Sequence, residues 1–93
     1  MYSLFVKPYA DKIFKKLGSR DKQELINIYK KITQIQESPN RNYNFLHSPL
    51  QSYQHVHVNK SFVLIFKIFH NKKQVEIYSY EHHDDVYLGK WVE

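Results

Sequence analysis

A chain of 93 residues, 42% hydrophobic and 25% charged, has the make-up of one globular domain, and its two glycines and three prolines exclude a collagen-like or low-complexity organisation. It has no cysteine, which excludes disulfides and thiolate metal sites and fits a reducing compartment. The formal charge of +5 is uneven: residues 1–46 carry nine Lys/Arg against four Asp/Glu, whereas residues 47–93 balance five against five and hold all six histidines.

In chain order, residues 2–7 are rich in strand formers and run into Pro8, whose fixed φ suits the first turn of a helix. Ala10, Ile13, Phe14 and Leu17 follow helical spacing and predict a short amphipathic helix that stops at Gly18. Asp21 and Glu24 stand in capping-box spacing ahead of a second helix whose buried stripe is Leu25, Ile28, Tyr29, Ile32 and Ile35, ended by Ser38-Pro39. The two helices should form a hairpin laid on a sheet. Residues 40–52 are polar and irregular, a loop anchored by Phe45, Leu46 and Leu50. Residues 53–58 alternate, with Val56 and Val58 on one face and Tyr53, His55 and His57 on the other. Residues 61–69 are apolar on both faces, as in a central strand covered on both sides or partly covered by loops. After a turn at residues 70–73, residues 74–80 make the last strand, with Val75 and Ile77 inward, and short connections make these three strands antiparallel neighbours. The expected architecture is α+β, one domain over residues 1–93: a strand, a helix hairpin, a three-stranded antiparallel sheet and a short C-terminal segment.

The longest apolar run, Phe62 to Phe66, is far shorter than the ~20 residues a membrane helix needs, and the N-terminus lacks signal-peptide organisation, so a cytoplasmic protein with no membrane partner is expected. Positive charge favours an RNA or phosphate partner. RNA cleavage without a metal needs a base for the 2′-hydroxyl, an acid for the leaving 5′-oxygen and positive charge on the phosphate, and histidine can fill all three roles. His55 and His57 on one strand face, His82 and His83 beyond the adjacent strand and His47 in the loop could converge at one end of the sheet. The same convergence could instead hold zinc or iron, with His55 and His57 side by side and His82, His83, Asp84 and Asp85 completing the ligand set. His70, in a Lys-rich turn, reads as a surface residue.

The order of elements resembles the RelE superfamily of bacterial and archaeal toxin–antitoxin modules, with a small RelE-like, microbial-RNase-like fold, over essentially the whole chain. Its YafQ-like branch is the nearer match. His47-Ser48-Pro49-Leu50 resembles the branch's His-Pro-Leu loop element with one extra residue, and Tyr53-Gln54-His55-Val56-His57-Val58 resembles its Tyr-x-x-x-His-Val strand. Phe62 to Lys67 resembles its aromatic-Ile-Leu-Ile-Tyr-Lys strand, and His83 four residues before Tyr87 its tail. The resemblance implies ribosome-dependent mRNA cleavage to 2′,3′-cyclic or 3′-phosphate and 5′-hydroxyl ends. His47 and His83 would be base and acid, His57 would hold or neutralise the phosphate, and Tyr87 would stack on or orient a base. His55, Lys60, Ser61, Lys67 and His82 are assigned to RNA binding. No metal ligand or cofactor is assigned, the partners are a cognate antitoxin, the ribosome and mRNA, and no DNA binding is expected of the chain by itself. Ser61 stands where the branch has an acidic residue, whose place Asp84 or Asp85 could take, and Val63 stands at the strand position that RelE itself fills with arginine. A toxin-like protein that binds antitoxin or ribosome without cutting is the alternative in the binding class.

Overall fold

A computed structural model of the chain describes residues 1–92. β1 (Ser3–Val6) hands over at Lys7 to α1 (Pro8–Arg20), α2 (Lys22–Glu37) follows at once, and β2 (Gln54–His57), β3 (Phe62–Phe69) and β4 (Gln74–His82) lie beyond the loop, with a 3-10 turn at Val86–Leu88. The sheet order is β1-β4-β3-β2; β2, β3 and β4 pair antiparallel as expected, and β1 joins them as a fourth strand, parallel to β4. Among the described residues no helix is long and apolar enough to cross a membrane.

Gly18 does not stop α1, which runs on to Arg20. A left-handed glycine is not needed there, because the single extended residue Asp21 (φ −148°, ψ 82°) turns the chain: its N–H donates to the Leu17 carbonyl and its carboxylate accepts the Glu24 N–H, so that one residue closes α1 and caps α2. Ile28, Ile32 and Ile35 are fully buried, while Tyr29 sits at the rim of the stripe, edge-on to Phe14.

The sheet has two cores. Ala10, Phe14, Ile28, Ile32 and Ile35 cover one face over Leu64, Phe66, Val75, Ile77 and Tyr80. On the other face Leu46, Leu50, Val86 and Trp91 close over Tyr53, Val63, Ile65 and Tyr78, so loop and C-terminal segment replace a second helical layer and account for the doubly apolar β3. Phe45 is no anchor: it is 56% exposed, because its backbone bridges to Gln54 and alternation then turns Leu46 inward instead.

One irregularity sets the direction of everything beyond it. Ile65 pairs with Ser79 but Phe66 pairs with Ile77, so Tyr78 is an extra residue in β4. Such a bulge shifts the side-chain alternation by one. Val75, Ile77 and Tyr80 consequently face the helices while Tyr78 faces the loop.

Candidate active site

His47, His55, His57, His83 and Tyr87 surround one concavity of about 220 Å³ on the loop-covered face, over an apolar floor of Leu46, Val63 and Val86. Backbone hydrogen bonds fix its walls. The Leu46 N–H donates to the Tyr53 carbonyl (2.9 Å) and the His55 N–H to the Asn44 carbonyl (3.0 Å), tying the loop to β2. The His83 N–H donates to the Ser61 carbonyl (2.7 Å), tying the end of β4 to the β2–β3 turn.

Each imidazole has its own surroundings. His83 Nδ1 lies 3.0 Å from Asp84 Oδ1, so a proton on Nδ1 faces the carboxylate and Nε2 stays open to a ligand. Asp84 thus puts a carboxylate beside His83, where Ser61 offers none. His57 Nδ1 lies 3.3 Å from the Asn59 carbonyl, an oxygen that can only accept, which again leaves Nε2 for a ligand. The His47 ring is nearly parallel to Tyr87 (14°, centroids 6.4 Å apart), and the His47 N–H donates to the Tyr87 hydroxyl at 2.7 Å. Tyr87 therefore positions the His47 loop as well as offering an aromatic face. Tyr87→Phe keeps the face and removes the hydroxyl; urea denaturation should show a loss of about 1 kcal/mol.

Burial first, and the neighbouring His57 second, push the His55 imidazole below its ordinary 6.5, and its Nδ1 is buried without a hydrogen-bond partner. The unfolded chain takes up this proton near 6.5 but the folded chain only at lower pH. Between those values the unfolded state holds more protons, so stability present above 6.5 drains away as the pH falls. The urea midpoint should drop from pH 7.5 to about 5 in the parent and drop less in His55→Gln.

The remaining expected contacts are placed otherwise. His82 lies on the helix side because of the bulge: its ring meets Phe62 edge-on, and it lines a separate groove against Tyr9, Ile13 and Leu17 of α1. Lys67 is at the far end of β3, over the Tyr53 ring at 4.3 Å, four residues or about 13 Å along the strand from Val63 in the concavity's floor. Neither contributes to the concavity. Lys60 is exposed in the β2–β3 turn, and Ser61, half-buried beside it, acts through its carbonyl on His83. His70 bonds the Tyr2 hydroxyl at the opposite end of β3. The metal set of the sequence reading is also divided, because His82, His83 and Asp84 gather without His55 and His57.

Sequence reasoning missed Asn59. Its Oδ1 accepts the N–H groups of Ser61 and Phe62 (2.8 and 2.9 Å), and its Nδ2 donates to Glu24 Oε1 (3.0 Å) and to the Tyr80 hydroxyl (3.2 Å). Tyr80 donates to the same Glu24 oxygen at 2.6 Å; burial, then this hydrogen bond, push its phenol far up, so it remains a donor. The turn carrying Lys60 and Ser61 is thereby stapled to α2. An asparagine opening a turn was the only local signal.

The fold is one shared with small α+β toxins of solved structure. The chain resembles the YoeB/ParE toxin from Agrobacterium tumefaciens with a TM-score of 0.77 over 87% of this chain and 98% of that one, at 11% identity. It resembles the YoeB–YefM complex from Staphylococcus aureus with a TM-score of 0.75 over 89% and 98%, at 17% identity. No family model matches the sequence. A protein of Methanocaldococcus jannaschii named as a RelE4 toxin is 41% identical over 90 residues, 97% of this chain and 95% of that protein. The chain belongs to the RelE/ParE superfamily of toxins.

Proposed function

We propose that this chain is the toxin of a type II toxin–antitoxin pair, a cytoplasmic, ribosome-dependent endoribonuclease that cuts mRNA by metal-independent histidine chemistry of the YafQ kind. The observation that carries this reading is the meeting of His47, His57 and His83 in one concavity, with Asp84 behind His83. Acid and base must reach the same phosphodiester from two sides, and a shared hollow walled by imidazoles from a loop, a strand and a turn supplies that arrangement.

In this reading His47 and His83 are the base and acid. One takes the 2′-hydroxyl proton, the 2′-oxygen attacks phosphorus, and the other protonates the departing 5′-oxygen, leaving a 2′,3′-cyclic or, after hydrolysis, a 3′-phosphate. His57 holds the phosphate through Nε2, Tyr87 offers its face to a base, and Lys60 extends the positive path along the backbone. His55, kept neutral by burial, serves as a hydrogen-bonding neighbour rather than as a cation. The cognate antitoxin is expected to be an acidic, apolar segment suited to Lys12, Lys15, Lys16, Lys30 and Lys31 on the helices, of which all but Lys31 stand exposed.

Inducing the chain without its antitoxin and mapping new mRNA 5′ ends tests the proposal. Growth should stop, with cleavage at codons on ribosomes and 5′-hydroxyl ends. Purified protein freed of transition metals should still cut, provided magnesium is kept for the ribosome. Arrested growth with intact mRNA, or activity that returns only with added zinc or iron, would count against it.

A further inference from the structure

We propose that the turn ending β4 is a transition-metal site, formed by His82, His83 and Asp84, and that zinc or copper bound there switches the toxin off. The second half rests on the histidine chemistry proposed above; the site itself does not.

One ligand atom from each of the three residues lies within 4.8 Å of the others. The Asp84 carboxylate stands between the two imidazoles, 3.0 Å from His83 Nδ1 and 3.6 Å from His82 Nδ1. An ion that binds nitrogen and oxygen at about 2.0–2.2 Å requires neighbouring donors roughly 3 to 3.5 Å apart, so this spacing needs little rearrangement. The rings are already stacked, with centroids 4.5 Å apart at 29°. The turn is fixed independently of any ion, because the Asp85 N–H donates to the His82 carbonyl (2.8 Å) and the His83 N–H to Ser61 (2.7 Å).

Charge points the same way. Residues 81–89 carry Glu81, Asp84 and Asp85 and no lysine or arginine, in a chain whose net charge is +5. Two imidazoles and a carboxylate with open positions suit zinc or copper(II), whereas magnesium prefers an all-oxygen shell. Binding displaces the hydrogen bond from the Asp84 N–H to His82 Nδ1 (3.1 Å), which favours the ions that bind nitrogen most strongly. It also takes Asp84 and Nδ1 of His83 away from the arrangement that readies Nε2 for proton transfer, which is why occupancy and cleavage exclude each other.

The test titrates zinc chloride into tag-free protein in millimolar magnesium and follows the imidazole resonances of all six histidines. His82 and His83 should shift together and saturate at one equivalent, with His47, His55, His57 and His70 unmoved. His82→Asn and Asp84→Asn should each weaken zinc binding by roughly tenfold or more. The zinc concentration that fills the site should stop mRNA cleavage on programmed ribosomes, and a zinc chelator should restore it. No saturable shift, a shift centred on His55 and His57, or unchanged affinity in both variants would overturn the site. Zinc bound at the turn without loss of cleavage would overturn the switch. Zinc binding by a metal-free protein that never cuts would support the site and count against the histidine chemistry instead.

Discussion

His83→Ala is expected to lower single-turnover cleavage on programmed ribosomes by about 100-fold to 10,000-fold, the range for losing a positioned acid or base, and to let cells expressing the chain grow. His83 is half-exposed, and the contact that holds its turn is made by its own backbone N–H to Ser61, which alanine retains, so the urea midpoint should scarcely move. Asp84→Asn keeps a hydrogen-bonding group but loses the charge facing Nδ1, and its rate should fall between the parent and His83→Ala. A folded His83→Ala protein as toxic as the parent would remove this imidazole from the chemistry and leave His47 and His57 to account for it.

The largest effect on stability is expected at Trp91. It is 2% exposed, meets Tyr53 edge-on with centroids 4.7 Å apart, and donates Nε1–H to the Val86 carbonyl at 3.0 Å. Trp91→Ala should cost about 3 to 5 kcal/mol. A domain of this size has about 5 to 15 kcal/mol in all, and a melting temperature more than about 10 °C lower should follow. Far-UV circular dichroism is the suitable probe, since the chain's one tryptophan is the residue removed. Trp91→Phe keeps the ring contact and strands the Val86 carbonyl, for a loss of about 1 to 3 kcal/mol. A loss under 1 kcal/mol in the alanine variant would mean that the C-terminal segment does not close the loop-side core.

Both residues show what sequence could and could not convey. The helix stripe was legible because Ile28, Ile32 and Ile35 repeat at the helical period, and β3 because both of its faces are apolar. The pairing of β1 with β4 was not, since parallel register between strands so distant in sequence has no local signature. Gly18 misled because glycine marks helix ends only where a left-handed residue is needed, and Asp21 made one unnecessary. At the site, His47, His57, His83 and Tyr87 were readable as a spaced set, and the structure places them together. The division between His82 and His83 was not readable: alternation carried forward from Val75 and Ile77 points His82 toward the loop, and only the bulge at Tyr78 reverses it. A one-residue irregularity in a strand of aromatic and β-branched residues leaves no mark in hydropathy.

The parallel pairing of Ser3 with Gln74 also orders events in time. During synthesis β1 and both helices leave the ribosome first, yet their apolar stripes have no sheet to rest on until β3 and β4 follow. Closing so long a stretch of chain is a non-local step of the kind that slows folding. The concavity is later still, because Tyr87 must arrive before the His47 loop gains its hydroxyl contact and Trp91 before the second core is sealed. A nascent chain therefore has no assembled concavity for most of its synthesis, and the site comes into being only when the last turn of the chain docks.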